Sequence, residues 1–315
     1  MRHRRRLVTA SLIIGTFLLI IGFGHAETDF SAAGNTTFTV TAAGKKDTTP
    51  PPISKDDVQL FQGKERKQIA DWEKGDELFL VILIDDAISS DFGSVMGEVK
   101  NFIMSQPPAA THIAVGYIRD NVTTLVQDFT DNHESAAKAI RLPLGAPAIG
   151  SSPYLGTMDL LKRWPQTGPR RSIVLISSGI DFFRGRGSQI FNPDLDGVIE
   201  RAQRQNTNIW SVYYPSSGHR FGASNLLLSY AQSNMGKLAE DTGGESYYLF
   251  YSEPVSLRPY LDEINLHLNN QYLLSFATSG GPKGKFVSVK LKTELPNVDL
   301  MTHASAVWVA PSRGQ

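Results

Sequence analysis

Leu78-Phe79-Leu80-Val81-Ile82-Leu83-Ile84 runs without a polar residue into Asp85-Asp86-Ala87-Ile88-Ser89-Ser90. An unbroken apolar run of this length reads as a strand buried on both faces. A carboxylate delivered to the carboxyl end of such a strand stands where open α/β sheets place their ligand sites. Function is therefore sought first around Asp85.

Downstream of Leu78, apolar segments alternate with amphipathic ones, the pattern of a mainly parallel sheet covered by helices on both faces. Further strands are expected at His112 to Ile118, Thr124 to Phe129, Ser172 to Ser177, Ile209 to Tyr214 and Glu245 to Leu249. Helices are expected at Phe92 to Met104, Asn132 to Ile140, Tyr154 to Trp164, Pro193 to Gln205, Leu226 to Thr242 and Val255 to Leu268. Asn192-Pro193 supplies a helix cap followed by a first-turn proline, and Thr242-Gly243-Gly244 supplies a stop.

Both flanks read as β. Asn35 to Ala42 alternates strongly, Pro50-Pro51-Pro52 must be extended, and Val58 to Gln62 and Gln68 to Trp72 are short strands about Gly63-Lys64. After Gln271, three β segments are expected at Tyr272 to Thr278, Lys285 to Thr293 and Ala304 to Val309. The expected organisation is a signal peptide over 1–26, an N-terminal β segment and linker over 27–75, an α/β domain over 76–268 and a C-terminal β segment over 269–315. The two β segments are expected to pack together.

The signal rests on Arg2, Arg4, Arg5 and Arg6, the apolar stretch Leu7 to Phe23, and Gly24-His25-Ala26, which gives a peptidase small residues for cleavage after Ala26. The alternative is an uncleaved anchor, since Leu7 to Phe23 is near the shortest span that crosses a bilayer. Cleavage implies a secreted or periplasmic protein with no membrane insertion afterwards. Of 31 basic residues these four lie in the leader, leaving 27 against 31 acidic; this mildly acidic balance argues against a nucleic-acid partner. The 315 residues include no cysteine, which removes disulfides, thiolate metal sites and a lipid-bearing cysteine.

Several strings in order resemble the von Willebrand factor type A (VWA) domain, and more closely the bacterial group usually called VWFA-related acidobacterial proteins. They are Val58-Gln59-Leu60-Phe61-Gln62-Gly63-Lys64, Asn208-Ile209-Trp210-Ser211-Val212, Leu238-Ala239-Glu240-Asp241-Thr242-Gly243-Gly244 and Gln271-Tyr272-Leu273-Leu274-Ser275-Phe276. The resemblance implies a three-layer α/β/α, Rossmann-like domain with a mainly parallel central sheet. It also implies a metal-ion-dependent adhesion site, built from an Asp-x-Ser-x-Ser turn, a threonine, and the Asp of a Thr-Asp-Gly turn. Here Asp85 and Ser89 match the first turn, Ala87 replaces its first serine, Ser152 stands at the threonine position, and Ser178 replaces the second aspartate.

Asp85, Ser89, Ser152 and Ser178 are thus a degenerate metal site with one carboxylate. Ligand charge sets the affinity of a hard cation, so magnesium or another divalent ion is expected to bind weakly if at all, and no other cofactor is implied. Arg184 or Arg186, in the loop after Gly179, could instead place a guanidinium near Asp85. With Tyr214, His219 and Phe221 of the next strand-end loop, these arginines are the candidate partner-binding residues, because tyrosine, arginine and phenylalanine are favoured at binding surfaces.

Other motifs fail. Gly280 to Phe286 lacks the glycine spacing and metal-binding hydroxyl of a phosphate loop, no Gly-x-Ser-x-Gly elbow occurs, and the histidines show no zinc pairing. His112, His133 and His267 read as surface or capping residues. The expected function is an exported protein-binding, adhesion-like module without enzymatic turnover, its protein partner docking on strand-end loops. The alternatives are a metal-independent scaffold, and an exported enzyme using Asp85 with Ser89 or Ser152.

Overall fold

The computed structural model describes residues 34–45, 48–145, 150–164, 168–183, 190–216, 225–248, 252–279, 281, 283–303 and 306–311. The signal over 1–26 lies outside them, as do Arg184, Arg186, His219 and Phe221. Among the described residues no helix is long and apolar enough to cross a membrane.

The apolar run Leu78 to Ile84 lies in strand β5 (Leu78–Asp85), and its side chains serve two cores because neighbours on a strand point to opposite faces. Leu80, Ile82 and Ile84 enter one cluster; Val81 and Leu83 enter the other. Around it stand β6 (Thr111–Arg119), β7 (Val122–Thr130), β8 (Arg170–Ser177), β9 (Thr207–Tyr213) and β10 (Ser246–Tyr247), in the order β10-β9-β8-β5-β6-β7. All neighbours are parallel except β6 and β7, which pair antiparallel. Asp120 and Asn121, both at positive φ, turn that hairpin.

Helices α1 (Met96–Ser105), α2 (His133–Lys138) and α6 (Arg258–Leu268) bury Val99, Phe102, Ile103, Ala136, Leu261 and Ile264 in the first cluster. Helices α3 (Pro153–Arg163), α4 (Pro193–Arg204) and α5 (Asn225–Asp241) bury Tyr154, Leu160, Val198, Ile199, Ala202 and Leu238 in the second. Three layers result, as expected. The cap at Asn192 is made: its side-chain oxygen accepts from Asp194 and Leu195 amides. The helix expected from Phe92 begins instead as a 3-10 turn, Ser90–Ser94, because Ser89 caps there, and α1 starts only at Met96.

The flanking segments form two four-stranded sheets on one core. The first has the order β13-β1-β11-β4, from Val298–Met301, Gly34–Gly44, Gln271–Thr278 and Ile69–Lys74. The second has the order β14-β12-β2-β3, from Ala306–Val309, Lys285–Thr293, Val58–Gln62 and Glu65–Lys67. β1 pairs with β11 and β2 with β12, so residues near both ends of the described chain share ladders. Phe38 meets Phe276 edge-to-face at 6.1 Å in that core. β3 and β13 were not foreseen; three or four residues are too few to display an alternation.

The sandwich is bonded to the α/β layers by side chains as well as by chain connections. Asn206 accepts from the Thr39 amide at 2.9 Å and donates to the Thr39 hydroxyl at 3.1 Å. Arg170, 5% exposed at the start of β8, donates to Gly75 O, to Leu268 O at 2.7 Å and to Gln271 Oε1 at 3.2 Å. The Arg204 guanidinium of α4 stacks 3.6 Å from the Trp308 ring.

Candidate functional site

Asp85 ends β5 with only 2% of its surface exposed. Its Oδ1 accepts from the Ala87 amide at 2.9 Å, and its Oδ2 accepts from Ser177 Oγ at 2.8 Å. Ser177 ends the neighbouring strand β8, and its hydroxyl in turn accepts from Gly179 N at 3.0 Å. Burial pushes the Asp85 carboxyl up from 3.8 to about 6; the two hydrogen bonds oppose that shift, and Asp86 adds to it.

The rest of the turn is fastened locally. Ser89 Oγ accepts from Asp91 N at 3.2 Å, Ser89 N donates to Pro215 O at 2.8 Å, and Ile88 forms an isolated antiparallel bridge with Ser216. Ser152, fully buried, caps α3 by accepting from Leu155 N at 3.4 Å, and its own amide donates to Asn121 Oδ1 at 2.8 Å. Ser178, also fully buried, accepts from Ile180 N at 3.4 Å. Gly179 must be glycine, since φ is +68° and a Cβ there would stand 2.7 Å from Ala231 O.

Asp85, Ser89, Ser152 and Ser178 therefore share one end of the sheet, but the hydroxyl bonded to Asp85 is that of Ser177. Three further groups support this end of the sheet. Tyr154 OH bonds Gly179 O at 2.9 Å, and burial, with Asp181 and Asp85 nearby, raises its pKa. Asp181, 1% exposed, accepts from Asn192 Nδ2 at 2.8 Å and from Phe183 N at 2.9 Å. Arg141 grips Asp86 with both guanidinium nitrogens at 2.7 and 2.8 Å while lying 3.7 Å from the Tyr117 ring.

Two assignments need correction. Tyr214 is 1% exposed and packs edge-to-face on Phe92 at 5.4 Å, so it is a core ring rather than a partner contact. His133 and His267 are each 4% exposed, not surface residues; each sits on the sheet-facing side of its helix, and His133 Nε2 is bonded to Thr111 O at 2.8 Å.

Among the described residues, several large apolar side chains reach solvent at this end. Leu142 and Leu144 follow α2, Phe183 follows β8, Ile190 and Phe191 precede α4, and Leu226 opens α5; they are 49, 53, 50, 68, 74 and 63% exposed. Leu144 N donates to Asp86 Oδ1, which places its loop beside the Asp85 turn, and Asn192 donates to Asp181 Oδ2 within the β8–α4 connection.

No family model matches the chain, and no curated protein matches it by sequence. Among solved structures, it is similar to an aerotolerance-related membrane protein from Bacteroides fragilis, at 13% identity over 61% of this chain and 98% of that one, with a TM-score of 0.41. It is also similar to the VWA domain of SpRpn10, at 15% identity over 60% and 94% of the two chains and a TM-score of 0.36. Proximal thread matrix protein 1 from the mussel byssus is similar at 11% identity over 70% of this chain and 50% of that one, with a TM-score of 0.45. The sheet order, the single antiparallel edge strand and the three helices on each face make this a VWA-like fold.

Proposed function

We propose that the protein is an exported, non-enzymatic binding module that docks a protein partner on the loops around the Asp85 turn, without help from a divalent cation. The observation that carries this reading is the exposure of six apolar side chains on loops and helix starts at that end of the sheet, Leu142, Leu144, Phe183, Ile190, Phe191 and Leu226. Scattered apolar residues are ordinary on a surface, but several on neighbouring loops at one end of a sheet form the kind of patch that associates.

The chemistry beneath the patch supports docking over turnover. Asp85 is 2% exposed and bonded to a backbone amide and to Ser177, and among the described residues no histidine is its hydrogen-bond partner. The donor set also does not fit a tightly held hard cation. It offers one carboxylate with both oxygens engaged, and hydroxyls at Ser89, Ser152 and Ser178 that each accept a backbone amide. Export rests on the leader read in the sequence.

The test is capture from an envelope extract by wild-type protein and by a variant carrying Phe183→Ser, Ile190→Ser, Phe191→Ser and Leu226→Ser. Circular dichroism checks that the variant keeps its fold. Loss of the captured proteins in the variant, unchanged by chelator in the wild type, is the expected result. Equal capture by both would remove these loops as the docking face.

A further inference from the structure

We propose that Glu245, Glu263 and His267 form a zinc-binding site at the β10 edge of the sheet, separate from the Asp85 turn. The ligand atoms of the three lie within 4.8 Å of one another, and His267 Nδ1 is 3.9 Å from Glu245 Oε2. Two ligands held at ordinary zinc distances in a tetrahedron are about 3.4 Å apart. Side-chain adjustments of about 1 Å therefore bring the triad onto an ion.

The backbone fixes where these groups meet. Glu263 and His267 are one turn apart on α6, so they share a face of that helix. Leu261, Ile264 and Leu268 anchor the helix in the core. Glu245 enters from the segment ahead of β10, where its carbonyl accepts from Ser211 N at 3.0 Å. The His267 ring packs 5.3 Å from the Trp210 ring, which restricts its rotamers, while both glutamates are partly exposed and leave an approach for the ion and for a water as fourth ligand.

Chemistry then selects the ion. Two carboxylates and one imidazole make a donor set of the kind a divalent cation takes. A protonated His267 paired with Glu245 would use the same atoms, but 3.9 Å is about 1 Å longer than a charge-assisted bond. An imidazole nitrogen with two carboxylate oxygens suits zinc; calcium and magnesium prefer oxygen alone. Bound there, the ion would clamp α6 to the last strand of the sheet. The sequence hid this site because Glu-x-x-x-His is a common helical spacing and Glu245 lies 18 residues before Glu263.

Calorimetric titration of chelator-stripped protein with zinc chloride tests the site. Saturable 1:1 binding in the micromolar range is expected, with a rise in melting temperature on adding zinc. Glu245→Gln and Glu263→Gln should each weaken binding by at least about tenfold and abolish the thermal shift. Asp85→Asn should leave the titration unchanged, which separates this site from the sheet-end turn. His267→Ala opens a cavity beside Trp210 and can impair folding, so the two glutamine variants decide. Absence of saturable binding by the wild type, or wild-type affinity in both glutamine variants, overturns the proposal.

Discussion

Ser177 Oγ donates to Asp85 Oδ2 across 2.8 Å, joining the ends of adjacent parallel strands β8 and β5. The bond ties the family-like turn to its neighbour through a hydroxyl that also receives Gly179 N. Removing it in Ser177→Ala leaves one buried carboxylate oxygen and one buried amide without that partner. The expected cost is about 1–3 kcal/mol in urea denaturation at neutral pH. It should shrink at about pH 4.5, where the protonated carboxyl no longer needs the donor as strongly; an equal cost at both pH values would contradict this role.

Asp85 itself should destabilise the fold when ionised. Its carboxyl is raised from 3.8 to about 6, so between those values the folded chain binds more protons than the unfolded one. Its contribution to stability is therefore greatest below about pH 4, falls as pH rises to about 6, and is level above. Asp85→Asn keeps the shape without the charge. It should raise the urea midpoint at about pH 7.5, through a gain in unfolding free energy on the order of 1–3 kcal/mol, and flatten the pH 4–6 part of the profile. A lower midpoint would mean that the ionised carboxylate has a stabilising partner in solution.

Arg141 and Asp86 form the second electrostatic element of the turn, with the Asp86 side chain 6% exposed and that of Arg141 40% exposed. Arg141→Ala leaves a buried carboxylate uncompensated and should cost about 3 kcal/mol. Arg141→Lys should recover only part, because an ammonium cannot reproduce the two-pronged contact or stack on Tyr117 in the same way. Equal stability of the lysine and arginine proteins would show that net charge alone matters.

How much of this was legible depended on the range of the interactions. β5 announced itself because both its faces are buried, and every residue from Leu80 to Ile84 is fully enclosed. Asn192 was readable as a cap because its partners are two and three residues away. The Arg141–Asp86 pair spans 55 positions and leaves no local pattern. Tyr214 was misplaced because an aromatic after a strand looks the same whether it faces Phe92 or solvent. The exposed apolar residues were equally hidden, since the six come from three separate parts of the chain: the α2–α3 connection, the β8–α4 connection and the start of α5.

The cation proposal can be tested by rebuilding the family's site. Ala87 and Ser178 are 4% and 0% exposed at the strand ends, so Ala87→Ser restores a hydroxyl and Ser178→Asp restores a carboxylate on backbone already positioned by β5 and β8. In metal-free buffer the new buried carboxylate should destabilise the double variant by about 2 kcal/mol or more. Magnesium or manganese should then recover stability and bind saturably, while the wild type shows neither effect at the same site. Micromolar magnesium binding by the wild type, abolished by Asp85→Ala, would restore a working adhesion site. If the double variant folds yet ignores both ions, adding Arg184→Ala and Arg186→Ala separates the two explanations. Metal binding gained on removing the arginines means that a guanidinium blocks the site; continued indifference means that Ala87, Ser152 and Ser178 do not superpose on the family's ligands.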